Sequence, residues 1–151
     1  MQSAAIDWED VSVLVFTLGG ILTFIGFWCF VCWMISVLGG WGRMAARFPR
    51  TLAPTGQRFD MQSGSVGLAN YNNCLTIHVS GAGIDFAVWP IFRMGHKPVF
   101  IPWQELNHPR VKQFLWYKYV RIDVGSPKLA TITVSEKVFS AFQNISGRPT
   151  A

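Results

Sequence analysis

From Val11 to Gly42 the chain runs 32 residues without a charged side chain, and apolar residues fall on every face of the implied helix. From Gln57 the pattern changes to strands. Gln57 to Ser63 is a short candidate, and Leu75, Ile77 and Val79 alternate with Thr76, His78 and Ser80, a period of two. Gly81-Ala82-Gly83 makes a tight turn, after which Ile84, Phe86 and Val88 continue the alternation and complete a hairpin. Val99 to Trp103 reads as a strand that is apolar on both faces. Phe114 to Val124 reads as one long strand, and Gly125-Ser126-Pro127 turns it into Leu129 to Val134. Ser135 then caps an amphipathic helix whose Val138, Phe139, Phe142 and Ile145 share one face; Glu136 favours its N-terminus and Gly147 stops it.

The first segment exceeds the ~20 apolar residues needed to cross a bilayer. Trp8 and Trp41 bracket it as interfacial aromatics do. A cleaved signal peptide needs a basic start and an apolar core of about 7–15 residues; here the start carries Asp7, Glu9 and Asp10. Cys29 and Cys32 lie inside the run, where a Cys-x-x-Cys spacing reads as two small apolar residues on one helix face; Cys74 stands alone. Gly19, Thr23 and Gly26, at i, i+4 and i+7, form a small-residue face suited to helix packing. The resulting division is an acidic tail (1–10), a transmembrane helix (11–42), a basic juxtamembrane linker (43–56), a β domain with its C-terminal helix (57–147) and a short tail (148–151).

Charge gives the anchor a direction. Residues 1–42 carry three acids and no base, whereas residues 43–151 carry all 13 Lys and Arg against five acids, a net of +8. The positive-inside rule places the N-terminus outside and the β domain in the cytoplasm. Arg43, Arg47 and Arg50, at helical spacing, are expected to contact anionic head groups, each worth about 1 kcal/mol.

Six or seven antiparallel strands closed by a C-terminal helix predict a small barrel or sandwich, and that order resembles the PH-like superfold, including its bacterial PH and GRAM types. An OB-type barrel fits less well because its helix falls between strands. The segments Asn70-Tyr71-Asn72-Asn73-Cys74-Leu75 and Phe92-Arg93-Met94-Gly95-His96-Lys97-Pro98-Val99-Phe100-Ile101-Pro102-Trp103 carry a closer likeness. They resemble a pattern of bacterial single-pass membrane proteins with a PH-like cytoplasmic domain, a group with no assigned activity. The likeness covers roughly Trp41 to Leu106 and departs at Lys97, where a second proline is usual. It implies a fold and a location rather than a reaction.

Candidate chemistry is sparse. The loop with Arg93, Gly95, His96 and Lys97 can hold a phosphate or lipid head group through charge and backbone N–H groups. The alternative is structural: Arg93 and His96 bond to backbone in a tight loop, with Gly95 at positive φ. Trp89 to Phe92 suits either the membrane interface or the core. His78, His96 and His108 are too scattered for a metal set, and no cofactor is indicated. No Gly-x-Ser-x-Gly elbow occurs and the acids are isolated in sequence, so no catalytic residue is nominated. Trp116-Tyr117-Lys118-Tyr119-Val120-Arg121 interleaves aromatics and bases, but a half-buried strand explains it better than a nucleic-acid surface. The expectation is a membrane-anchored, non-enzymatic protein. Its partners would be the bilayer, a protein partner, or a second copy bound through the helix. The alternatives are a structural subunit of a larger membrane complex and an enzyme with a site near Arg93 and His96.

Overall fold

A computed structural model describes residues 8–146; Asp7, Gly147 and the tail 148–151 lie outside them. The chain forms two compact units, divided between Val31 and Cys32. Helix α1 (Trp8–Gly39) is unbroken and is the one helix among the described residues long and apolar enough to cross a membrane. At 1.5 Å per residue, residues 8–31 alone extend ~36 Å, more than the hydrocarbon thickness of a bilayer. On this helix Thr23 donates its hydroxyl to the Gly19 carbonyl at 2.8 Å. A methyl group added at Gly19 or Gly26 would meet nothing within 4 Å, so the small-residue face is open.

The second unit begins with the end of α1, where Cys32, Ser36 and Gly39, again at i, i+4 and i+7, are the buried positions. Gly40, at φ +89°, breaks the helix, and α2 (Trp41–Arg47) follows at once. Residues 43–56 were expected to be a linker, but their first part belongs to the core. Trp41, Met44, Ala45 and Phe48, at i, i+3, i+4 and i+7, are a buried stripe. A domain cut at residue 53 would therefore lose four core side chains.

Seven antiparallel strands follow: β1 (Gln57–Val66), β2 (Ala69–Val79), β3 (Gly83–Val88), β4 (Val99–Pro102), β5 (Leu106–Phe114), β6 (Tyr117–Val124) and β7 (Ala130–Ser135). They form one curled half-barrel in the order β4-β3-β2-β1-β7-β6-β5. Central β1 makes the curl possible. Its pairing with β2 is irregular between Phe59 and Gly64, and bulges of this kind bend a strand. Gly64 lets the β7 backbone come close, because a Cβ there would collide with the Thr133 carbonyl. The edge at β4 is covered by the segment after α2, where Phe100 N–H donates to the Phe48 carbonyl and Arg50 N–H to the Pro98 carbonyl.

Helix α3 (Glu136–Ser146) packs on β2, β6 and β7. Val138, Phe139 and Phe142 are buried as the spacing predicts, with the Phe142 ring 4.4 Å from that of Trp103, whereas Ile145 is exposed. The Ser135 hydroxyl donates to the Gln62 side chain at 3.1 Å. The run from Phe114 to Val124 is not one strand. It is the tip and return arm of a hairpin whose outgoing arm, β5, starts at Leu106. Beyond Asn107 every β5 residue is exposed, so this arm carries no alternation of buried and polar positions to read.

Trp41→Ala should lower the unfolding free energy by about 3–5 kcal/mol, the usual cost of emptying a buried tryptophan site. Trp8→Ala, on an exposed residue, should leave it unchanged. Denaturant titration of the full chain in detergent compares the two, and a silent Trp41→Ala would remove α2 from the core.

Candidate functional site

Strand β2 places Leu75, Ile77 and Val79 in the core and turns Thr76 and His78 to the other face. On that face Arg58 of β1, His78 of β2 and Asp85 of β3 are consecutive cross-strand partners. A cleft of about 610 Å³ opens beside this row, lined by Arg58, His78, Asp60, Trp89 and Arg93 and by Arg50 from the segment after α2.

Asp85 is buried, and Arg50 grips it through two parallel N–H donors, Nε to Oδ2 and Nη2 to Oδ1. A buried carboxylate requires such a partner, and a bidentate guanidinium satisfies both oxygens. Arg50 was expected to reach lipid. The pairing of Pro49 with Val99 instead brings it to β3, so its charge is committed to Asp85. His78 Nδ1 lies 3.7 Å from Asp85 Oδ1, too far for a hydrogen bond, and is buried without a partner among the described residues. Asp60 accepts from Arg58 Nε at 2.8 Å and from the Thr76 hydroxyl at 3.1 Å; the Arg58 bond, ahead of the other influences, holds its carboxyl below the ordinary value.

Arg93 follows a 3₁₀ turn (Pro90–Phe92) at the cleft rim. Its guanidinium makes no hydrogen bond or ion pair among the described residues, so it is the uncommitted cation of the cleft.

His96, three residues on, does not share that environment. Gly95, at φ +78°, turns the chain so that His96 enters the core and is only 2% exposed. Its Nδ1 lies 3.1 Å from the Met94 carbonyl, which can only accept, so Nδ1 carries the proton. Nε2 then accepts from the Tyr71 hydroxyl at 2.9 Å. Trp41 stacks tilted on Tyr71 and edge-on to His96, both at 5.3 Å between ring centres, and donates its indole N–H to the Lys97 carbonyl at 2.8 Å. Burial pushes the His96 imidazole below its ordinary pKa and the Tyr71 phenol above its own. The head-group role expected of His96 is therefore corrected: it is a neutral core histidine. Arg93 and His96 are not brought into one cavity, as an enzyme site built on both would require.

Lys97, Arg43 and Arg47 are exposed, and the Arg47 guanidinium lies 5.9 Å above the Phe48 ring. Trp89 and Ile91 are exposed while Phe92 packs on the core. Among the described residues no three His, Cys, Asp or Glu side chains converge on a point where a metal would sit. Sequence reasoning missed Asp85, although a signal existed. It interrupts a short apolar strand that is buried throughout its length, where an acid demands a cation.

Compared with known protein families, curated proteins and solved structures, the chain matches none of them.

The buried imidazole sets a pH dependence. Its folded pKa lies below the unfolded value of about 6.5, so between the two the unfolded chain binds more protons. Stability should therefore be fully present above pH ~6.5 and fall as the pH drops from there towards the folded value. His96→Gln should flatten that part of the stability–pH curve, and an unchanged slope would show that the imidazole is not buried neutral.

Proposed function

We propose that this chain is a single-pass bacterial inner-membrane protein whose cytoplasmic, PH-like domain binds an anionic group and catalyses no reaction. The PH-like assignment is supported by the strand order β4-β3-β2-β1-β7-β6-β5 followed directly by a C-terminal helix. The orientation is supported by the exposed Arg43 and Arg47 beyond α1 and by Glu9 and Asp10 in its first turn.

The observation that carries the binding reading is Arg93. It is a cation without a partner among the described residues, on the rim of a cleft that His78 also lines. Arg58 and Arg50 are neutralised by Asp60 and Asp85, so the cleft keeps one positive charge and a polar floor. Such a site suits a phosphate or carboxylate, presented by a lipid head group or by a protein partner, with Trp89 beside it for apolar contact.

Inorganic phosphate should stabilise the full chain in detergent by RT ln(1 + [L]/Kd), and Arg93→Met should abolish that gain. Equal stabilisation of both proteins would defeat the cleft as the binding site. Anionic lipid in place of free phosphate, with the same variant, separates a head group from a soluble ligand. Orientation is checked in cells with a membrane-impermeant thiol reagent. Ser3→Cys should react from outside and Lys97→Cys only after lysis; the reverse pattern would overturn the topology.

A further inference from the structure

The β5–β6 hairpin presents a face that neither the core nor the cleft explains. Its tip is Phe114, Leu115, Trp116 and Tyr117, every one at least 62% exposed and Trp116 at 81%. A soluble surface rarely displays four consecutive large apolar side chains. Leu115 sits at φ +56°, a conformation that a bulky residue seldom adopts, and Gln113 Nε2 donates to its carbonyl at 3.0 Å.

The register then orders one face along the hairpin. Phe114 pairs with Tyr117 at the tip, Lys112 with Tyr119 behind it, and Arg110 with Arg121 behind that. Like charges directly opposite each other destabilise a strand pair unless an anion lies between them. Arg110, Lys112 and Arg121 also line a basin of about 250 Å³ whose single acid, Asp123, is taken by Lys128 at 2.8 Å and by Thr131. These three cations make no ion pair among the described residues.

We propose that this hairpin is a second membrane contact, whose tip enters the interfacial layer of an anionic bilayer while Arg110, Lys112 and Arg121 bind lipid phosphates. The gradient from apolar and aromatic to cationic, along ~14 Å of strand, follows the order of a bilayer surface from carbonyl level outwards. A second copy is disfavoured, since pairing these faces would oppose two positive stripes, and the charges along β5 also guard its open edge against another strand. The inference rests on the tethered reading for the presence of a bilayer but is independent of the cleft.

The test is hydrogen–deuterium exchange on the full chain in nanodiscs of phosphatidylcholine alone or with phosphatidylglycerol. Amides 113–118 should exchange about tenfold more slowly in the anionic discs, and high salt should remove the difference. The triple variant Arg110→Ser, Lys112→Ser, Arg121→Ser should lose the protection while β2 exchanges as before, which shows the fold is kept. Equal exchange in both discs overturns the proposal. Protection that is already present in detergent and grows with protein concentration overturns it in favour of a second copy. Protection confined to native membranes overturns it in favour of a protein partner. Release of the chain by alkaline extraction would defeat the tethered reading and this inference together; a retained chain with an unprotected hairpin defeats this inference alone.

Discussion

The seating of Trp41 against Tyr71 and His96 is the interaction on which the second unit depends. A buried indole must find an acceptor for its N–H, and here the acceptor is the Lys97 carbonyl, 56 residues away in sequence. One side chain thus ties α2 to β2 and to the loop between β3 and β4. Around it the backbone packs closely. Ser36 donates to the Gly95 carbonyl at 2.6 Å, and a Cβ on Gly95 would press on Trp33 and Ser36. Gly67, at φ +59°, passes so close to the Gly39 carbonyl that any side chain would collide with it. Residues 32–39 therefore fold with the β domain.

The same packing explains why one short loop holds two basic side chains, Arg93 and His96, of opposite fate. Gly95 reverses the backbone between Arg93 and His96, sending the arginine to the cleft rim and the imidazole inward. Once inside, the imidazole is satisfied at both nitrogens, by Met94 and Tyr71, and gains nothing from a proton. Burial without a partnering carboxylate favours the neutral ring. The loop is shaped from within by its histidine and glycine, which leaves its arginine free.

Much of the fold was legible in the sequence because its strands bury one face or both: β2, β3, β4 and β7 appear where alternation or apolar runs place them. β5 was hidden because a strand with both faces in water leaves no periodic signal. α2 was hidden for another reason. Its stripe at 41, 44, 45 and 48 is plain, but Arg43, Arg47 and Arg50 at similar spacing suggested a lipid-facing linker, and a seven-residue helix is too short to stand out. The small residues at 32, 36 and 39 repeat the spacing of 19, 23 and 26, yet only the later set is buried. Spacing alone cannot say which face meets protein. In the site, Arg93 could be nominated from its loop, whereas the Arg50–Asp85 pair joins residues 35 apart and needed the sheet register to appear.

That pairing also changes what the net charge beyond residue 42 means. Four of the five acids there are spent on specific cations: Asp85 on Arg50, Asp60 on Arg58, Asp123 on Lys128 and Glu136 on Lys118. A matched pair does little to attract a distant anion, because its field falls off faster than that of a lone charge. Among the described residues the unpaired cations include the exposed Arg43, Arg47, Lys97 and Lys137, but in two places they face a concavity: at the rim of the cleft, through Arg93, and on the hairpin face, through Arg110, Lys112 and Arg121. Those two places differ in construction. The cleft surrounds one free cation with satisfied pairs, which favours selection of a single anionic group. The hairpin sets like charges against each other behind an apolar tip, which favours an extended anionic surface.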